Sequence, residues 1–188
     1  MDNKLIDITG LNNQITLNEI PDIDLYMDQV IQLFENKFSN SKRNEDEKVL
    51  TKTMINNYAK GKLFFPIKNK KYSKEHLILI SLIYQLKGAL SINDIRGTLS
   101  KINEKIVDHS FKVEQFYESF LHLTEKNAAV FEKDIINKEN DVVEEINILE
   151  DMESGQLEKI LMIASMAHMS NLYRRAAEKL IDKLEEKE

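Results

Sequence analysis

The chain has 188 residues, 42% of them hydrophobic and 31% charged, with 26 Lys+Arg against 32 Asp+Glu for a formal charge of −6. That apolar share supplies a real core and argues against disorder or a fibre, and 5 Gly with 2 Pro leave few breakers, so the expected class is mainly α. Zero Cys excludes disulfides, thiolate zinc sites and a cysteine nucleophile, and suits a reducing cytoplasm, the expected location.

Residues 1–22 read as an N-terminal arm: Leu5, Ile6, Ile8, Leu11, Ile15 and Leu17 show no clear period and are expected to dock on the domain that follows. Asp2, Lys4 and Asp7 interrupt the start, so the order of a signal peptide is missing. Pro21-Asp22-Ile23-Asp24 opens a helix with an Asp at the cap position, and apolar residues from Leu25 carry it to Phe38. Ser39 to Glu47 is polar throughout and reads as a connection. Thr51 then caps a helix of about ten residues through Met54, Ile55 and Tyr58, with Gly61 where a left-handed C-terminal residue belongs. Leu63 to Pro66 is apolar and stops at proline, and residues 67–72 have the Lys and Asn content of a small exposed hairpin, a wing. Ser73 caps the next helix, with Glu75 in its first turn and His76 three residues on, and Gly88 stops it. Ser91 and Asp94 form a capping box for a helix running through Ile102. The longest apolar run, Leu77 to Leu86, is broken by Ser81 and Gln85 and falls short of the roughly 18 residues that span a bilayer, so no membrane partner is expected.

Resolved along the chain, the charge falls into three blocks. Residues 1–50 hold 5 basic and 10 acidic side chains, residues 51–105 hold 11 against 3, and residues 106–188 hold 10 against 19, giving −5, +8 and −9. A basic segment between acidic flanks is the footprint of a local polyanion site, and equally that of a solvated lysine face.

Catalysis is not expected. His76, His109, His122 and His168 are separated by 33, 13 and 46 residues, which fits no metal-ligand spacing. Glu118 and His122, four apart, read as a surface pair without a nucleophile beside them. The acidic run Glu144 to Glu153 lacks the alternating oxygen ligands and central Gly of a calcium loop. No metal or other cofactor is implied. In the last block Val113, Phe116, Tyr117, Phe120, Leu123, Phe131 and Ile135 trace one helical stripe. A second helix carries Leu157, Ile160, Leu161, Ala164, Ala167, Leu172, Tyr173, Ala176, Leu180 and Leu184. Leu161 to Ala167 is apolar on nearly every side, which predicts burial among several helices, and Met162, Met166 and Met169 read as adaptable core. Phe116, Phe120, Leu157, Leu161, Ala164, Leu172 and Leu180 are the residues expected to form the core of this half or to join two subunits.

The segment Met54 to Pro66 resembles the recognition helix and following turn of the MerR-type winged helix-turn-helix. Ile55 and Tyr58 fill the family's aliphatic and second-tyrosine places, and Leu63, Phe64 and Pro66 its leucine-leucine-x-proline. Lys70-Lys71-Tyr72-Ser73 falls where that family has arginine-x-tyrosine-serine, and Gly88 to Ile95 resembles its glycine-phenylalanine-serine-leucine-x-x-isoleucine step. The resemblance covers roughly residues 24–105. Asn56 and Asn57 depart from its arginine and first tyrosine, Lys62 from its glycine, and Met54 from its threonine unless Thr53 serves. The strings around Pro21, Leu50 and Lys70 also resemble a bacterial family known only as a domain of unknown function, which implies no activity.

The MerR resemblance implies a winged helix-turn-helix over residues 23–105 with a small β-hairpin wing, followed by an acidic helical domain over residues 106–188 for dimerisation or for sensing an unidentified small-molecule effector. It implies double-stranded DNA and a second copy of the chain as partners, and a role in transcription regulation. Lys52, Thr53, Asn56, Asn57, Tyr58 and Lys60 would face the major groove from the short helix, while Lys62, Lys68, Lys70, Lys71 and Tyr72 would hold backbone from the turn and wing. The alternative is a non-catalytic interaction module that keeps the winged fold without binding DNA.

Overall fold

The computed structural model describes residue 10 and residues 13–149 and 154–186. The arm residues Leu5, Ile6, Ile8 and Leu11 and the end of the acidic run, Glu150 to Glu153, lie outside the described residues. Within them the chain is mainly helical, with six α-helices and one two-stranded antiparallel sheet. In chain order these are β1 (Leu25–Tyr26), α1 (Met27–Phe38), α2 (Lys52–Lys60), β2 (Lys71–Tyr72), α3 (Lys74–Leu86), α4 (Ile92–Val107), α5 (Val113–Leu149) and α6 (Ser154–Glu185).

α3 is the axis of the main body. Eight consecutive residues, His76 to Ile83, are buried, so the helix is covered on all sides, as its unbroken Leu/Ile run requires. Ser81 survives there because its hydroxyl donates to Leu77 O at 2.9 Å. Around it pack Val30, Phe34 and Phe38 of α1, Ile55 and Tyr58 of α2, Ile95 and Leu99 of α4, and Val113 and Tyr117 at the start of α5. The described end of the arm packs on this core: Ile15 and Ile20 are buried, and the Tyr117 hydroxyl donates to Ile15 O at 2.7 Å across 102 residues of sequence.

Several boundaries follow the caps read from sequence. Thr51 Oγ1 accepts from Met54 N–H at 3.1 Å, and Ser91 with Asp94 closes the capping box of α4. Three expectations are corrected. The first helix begins after Tyr26, whose N–H donates to Gln29 Oε1 at 2.8 Å; the Asp22–Asp24 stretch precedes a strand instead of capping the helix. Gly61 has φ −72°, and the left-handed residue is Lys62, at φ 56°. Gly61 is needed for space: a Cβ there would stand 3.2 Å from Asn57 O and 3.4 Å from Ile92 Cγ2, where α4 abuts the end of α2. The wing is smaller than a free hairpin. Lys71 N–H donates to Lys68 O at 2.9 Å around a turn with Asn69 and Lys70 both at positive φ, so the hairpin is reduced to the single antiparallel bridge Lys68–Lys71, while the far side of β2 pairs with β1, matching Leu25 with Tyr72 and Tyr26 with Lys71.

The last two helices form an antiparallel pair within the one chain. A second, small core of Ile135, Val142, Ile146 and Met162 joins them, with Phe131, Leu157 and Met166 partly buried against it. The expected burial of Leu161 to Ala167 among several helices is not what one chain provides: Met162 is buried, but Leu161, Ile163, Ala164 and Ala167 are exposed. Phe120 packs on the main core, whereas Phe116, Leu172 and Leu180 face solvent. Among the described residues no helix is long and apolar enough to cross a membrane.

Candidate nucleic-acid interface

α2 presents two faces. Ile55 and Tyr58 point into the core, and Lys52, Thr53, Asn56, Asn57 and Lys60 are exposed on the other side. The i, i+3 and i, i+4 spacing of these five keeps them together, and the Thr51 cap with the close Gly61 contact fixes the helix at both ends. Tyr58 belongs to the inner face: it is buried, and burial raises its phenol pKa. Tyr72 is likewise buried and raised by burial. Both tyrosines therefore support the surface from below and present no ring or hydroxyl to a partner.

At the N-terminal end of α2, Lys52 Nζ lies 2.8 Å from Asp28 Oδ1 in the first turn of α1. Two residues earlier, the exposed Tyr26 ring carries Lys71 Nζ 5.2 Å from its centroid. One ridge thus runs from the start of α2 over the start of α1 to the base of the wing, where Lys68 and Lys70 are exposed at the turn. At the other end of α2, Lys62 and Arg96 line one groove of about 620 Å³, floored by Ala59, Phe64, Phe65, Pro66 and Ile67 and closed by Ser100, Asn103 and Glu104. Asn103 Nδ2 donates to Leu63 O and Leu99 O at 3.0 and 2.9 Å, tying the turn after α2 to α4.

His76 holds the base of the wing. Its Nδ1 accepts from Ser73 N–H at 3.2 Å and its Nε2 lies 3.1 Å from Phe65 O, an arrangement that suits the neutral ring protonated on Nε2. The imidazole lies 3.9 Å from Phe65 between ring centroids, and burial pushes its pKa below the ordinary histidine range. A larger groove of about 700 Å³ separates the arm from α5. Glu118, Glu125 and Glu132 outweigh Lys37 and His122 along it, so it repels the polyanion that the basic block would attract.

A profile of the family described as Domain of unknown function (DUF1836) matches residues 15–120, more than half of the chain. The chain belongs to that family. No curated protein and no solved structure matches it. The DUF1836 match begins at Ile15 and ends at Phe120, so it encloses the main core together with the Tyr117–Ile15 bond that closes it, and leaves most of the hairpin outside.

Two exposed side chains of the DUF1836 body escaped the sequence reading. Arg96 is one charge in the basic block, and its place beside Lys62 depends on α4 abutting α2, a contact between distant segments that spacing does not reveal. Tyr26 looked like a buried residue of the first helix; its pairing with Lys71 in the sheet turns it outward. The signal that could have found it is the strand alternation, with Leu25 buried and Tyr26 exposed.

Proposed function

We propose that the chain is a DNA-binding transcription regulator, with residues 23–105 forming a MerR-like winged helix-turn-helix. The observation that carries the reading is the outward face of α2, where two lysines, a threonine and two asparagines stand exposed on a short helix fixed at both ends. Asn56 and Asn57 are suited to adenine edges, and Lys52, Thr53 and Lys60 to phosphate or guanine. Lys62 with Arg96 at one end of α2, and Lys68, Lys70 and Lys71 at the wing, would hold the two backbones. Asp28 opposes this by neutralising Lys52, which limits nonspecific affinity.

Binding to random duplex DNA across a salt series tests the reading. Changing Lys68, Lys70 and Lys71 together to Ala should reduce the slope of log affinity against log salt by about 2 to 3, because each lost phosphate contact removes about 0.9. No binding at low salt, or a slope that the triple change leaves alone, removes the proposal. Selection of bound sequences from a random pool then gives the operator, and Asn56→Ala should relax one position of it by about 1 to 3 kcal/mol.

A further inference from the structure

The groove at the end of α2 has the construction of a small-molecule pocket. Phe64, Phe65, Pro66 and Ile67 give it an apolar floor, and Arg96, Ser100 and Asn103, spaced four and three apart on one face of α4, form its wall. Floor and wall are held together without any ligand: Gly61 admits Ile92 of α4, and the Asn103 amide donates to Leu63 O and Leu99 O. Its volume of about 620 Å³ lies in the range of preformed ligand sites.

Three charged side chains line it, Lys62, Arg96 and Glu104, for a net charge of +1. Among the described residues none of the three forms an ion pair. Arg96 Nη2 donates to Asn93 Oδ1 at 3.1 Å, which leaves the guanidinium's other N–H groups for a second partner. Lys62 holds φ 56°, a left-handed conformation that glycine or asparagine takes more readily. A lysine kept at a strained position points to use of its side chain. Glu104 stands eight residues beyond Arg96, about 12 Å along the helix, so the groove is cationic at one end and acidic at the other. A dianion meets that carboxylate, and a neutral apolar molecule leaves both cations unpaired. One carboxylate on an apolar body matches floor and charge together.

We propose that this groove binds a small apolar monocarboxylic acid, with the carboxylate between Lys62 and Arg96 and the body on the Phe64–Ile67 floor. The arginine fork suits a carboxylate, and the lysine adds a second charge-assisted bond. The site does not depend on DNA binding. One consequence does rest on the DNA reading: the same two cations would hold backbone phosphate, so acid and duplex compete for them, and effector sensing belongs to the body and not to the helical half.

Titration of the full chain with 2-naphthoate, followed by backbone chemical shifts, tests the site. Binding should saturate at one equivalent with a dissociation constant below about 1 mM, and the shifts should centre on α4 and the turn after α2. The neutral 2-naphthamide and inorganic phosphate, each lacking half of the proposed chemistry, should bind at least about tenfold more weakly. Arg96→Gln should weaken naphthoate about tenfold. Lys62→Asn, which tolerates the left-handed turn, should do the same, while Lys62→Arg should retain binding. Weaker binding than about 1 mM, an amide or phosphate bound as well as the acid, or shifts centred on α5 and α6 overturns the proposal. So does naphthoate binding indifferent to both Arg96→Gln and Lys62→Asn. Should either variant lose helical circular dichroism, the comparison of acid with amide on the natural chain decides. Saturating naphthoate should also weaken duplex binding about tenfold. Duplex binding that it leaves unchanged overturns the competition; a chain that binds naphthoate and no duplex supports the site and removes the DNA reading.

Discussion

α3 and α6 are both long apolar helices, and they finish in opposite states. α3 has 13 residues, eight of them buried in succession, whereas α6 has 32 residues of which Met162 and Ile181 are buried among its described side chains. Helix propensity does not separate them, since good helix formers recur in both, Leu, Ile, Lys and Glu among them. The difference is the number of neighbours one chain can supply. α3 is surrounded by α1, α4, α5 and the sheet, while α6 has one long neighbour and touches α4 near its end. An apolar helix in sequence thus predicts that something covers it, without saying whether the cover lies in the same chain.

The largest expected effect sets the two cores against each other. Phe34 is fully buried between Phe38 and Tyr84, at 5.9 Å from each ring. Phe34→Ala should destabilise the DUF1836 body by about 3 to 5 kcal/mol, and Met162→Ala the hairpin by about 2 to 3. Urea melts of both variants check the ordering, and equal losses would erase the distinction between a finished and an unfinished core.

Acid should reach the body through His76. Its folded-state pKa lies below the ordinary value, so the unfolded chain takes up the proton more readily. The stability this group contributes is full above about pH 6.5 and is lost as pH falls through the lower, folded value. Thermal melts at pH 7.5 and pH 5 should show that loss, and His76→Gln should flatten the pH dependence while lowering the melt at pH 7.5. A profile unchanged by the substitution would mean that other groups govern the acid limit.

The smallest effect separates stability from binding within the wing. Lys70 holds φ 58°, a conformation glycine takes without strain. Lys70→Gly should stabilise the chain by up to about 1 kcal/mol, and on the DNA reading should reduce the salt slope by about 0.9. A stabilised variant with undiminished binding would remove Lys70 from the interface.

Much of the body was legible because its signals are local. Thr51, Ser73 and the Ser91–Asp94 pair mark helix starts through bonds that span three residues, and their caps lie where the sequence puts them. What was not legible depends on contacts far apart in the chain. Leu25 and Tyr26 read as helix because their strand partner is 46 or so residues away. Gly61 attracted the left-handed assignment that belongs to Lys62, since the reason for the glycine is the side chain of Ile92. The lysines and asparagines of α2 were found as exposed polar residues, whereas Tyr58 and Tyr72 were misassigned to that surface because aromatic rings serve cores and interfaces alike.

The bond from Tyr117 to Ile15 bears on the order in which the chain can be built. The carbonyl that accepts it leaves the ribosome 102 residues before the hydroxyl that donates. Until then the arm has no buried partner in α5, and a loop of that length must close late. Burial raises the Tyr117 pKa to about 12, so the hydroxyl keeps its proton throughout the ordinary pH range once it has docked. Synthesis therefore completes the body at the first turns of α5, with most of the hairpin still to be made.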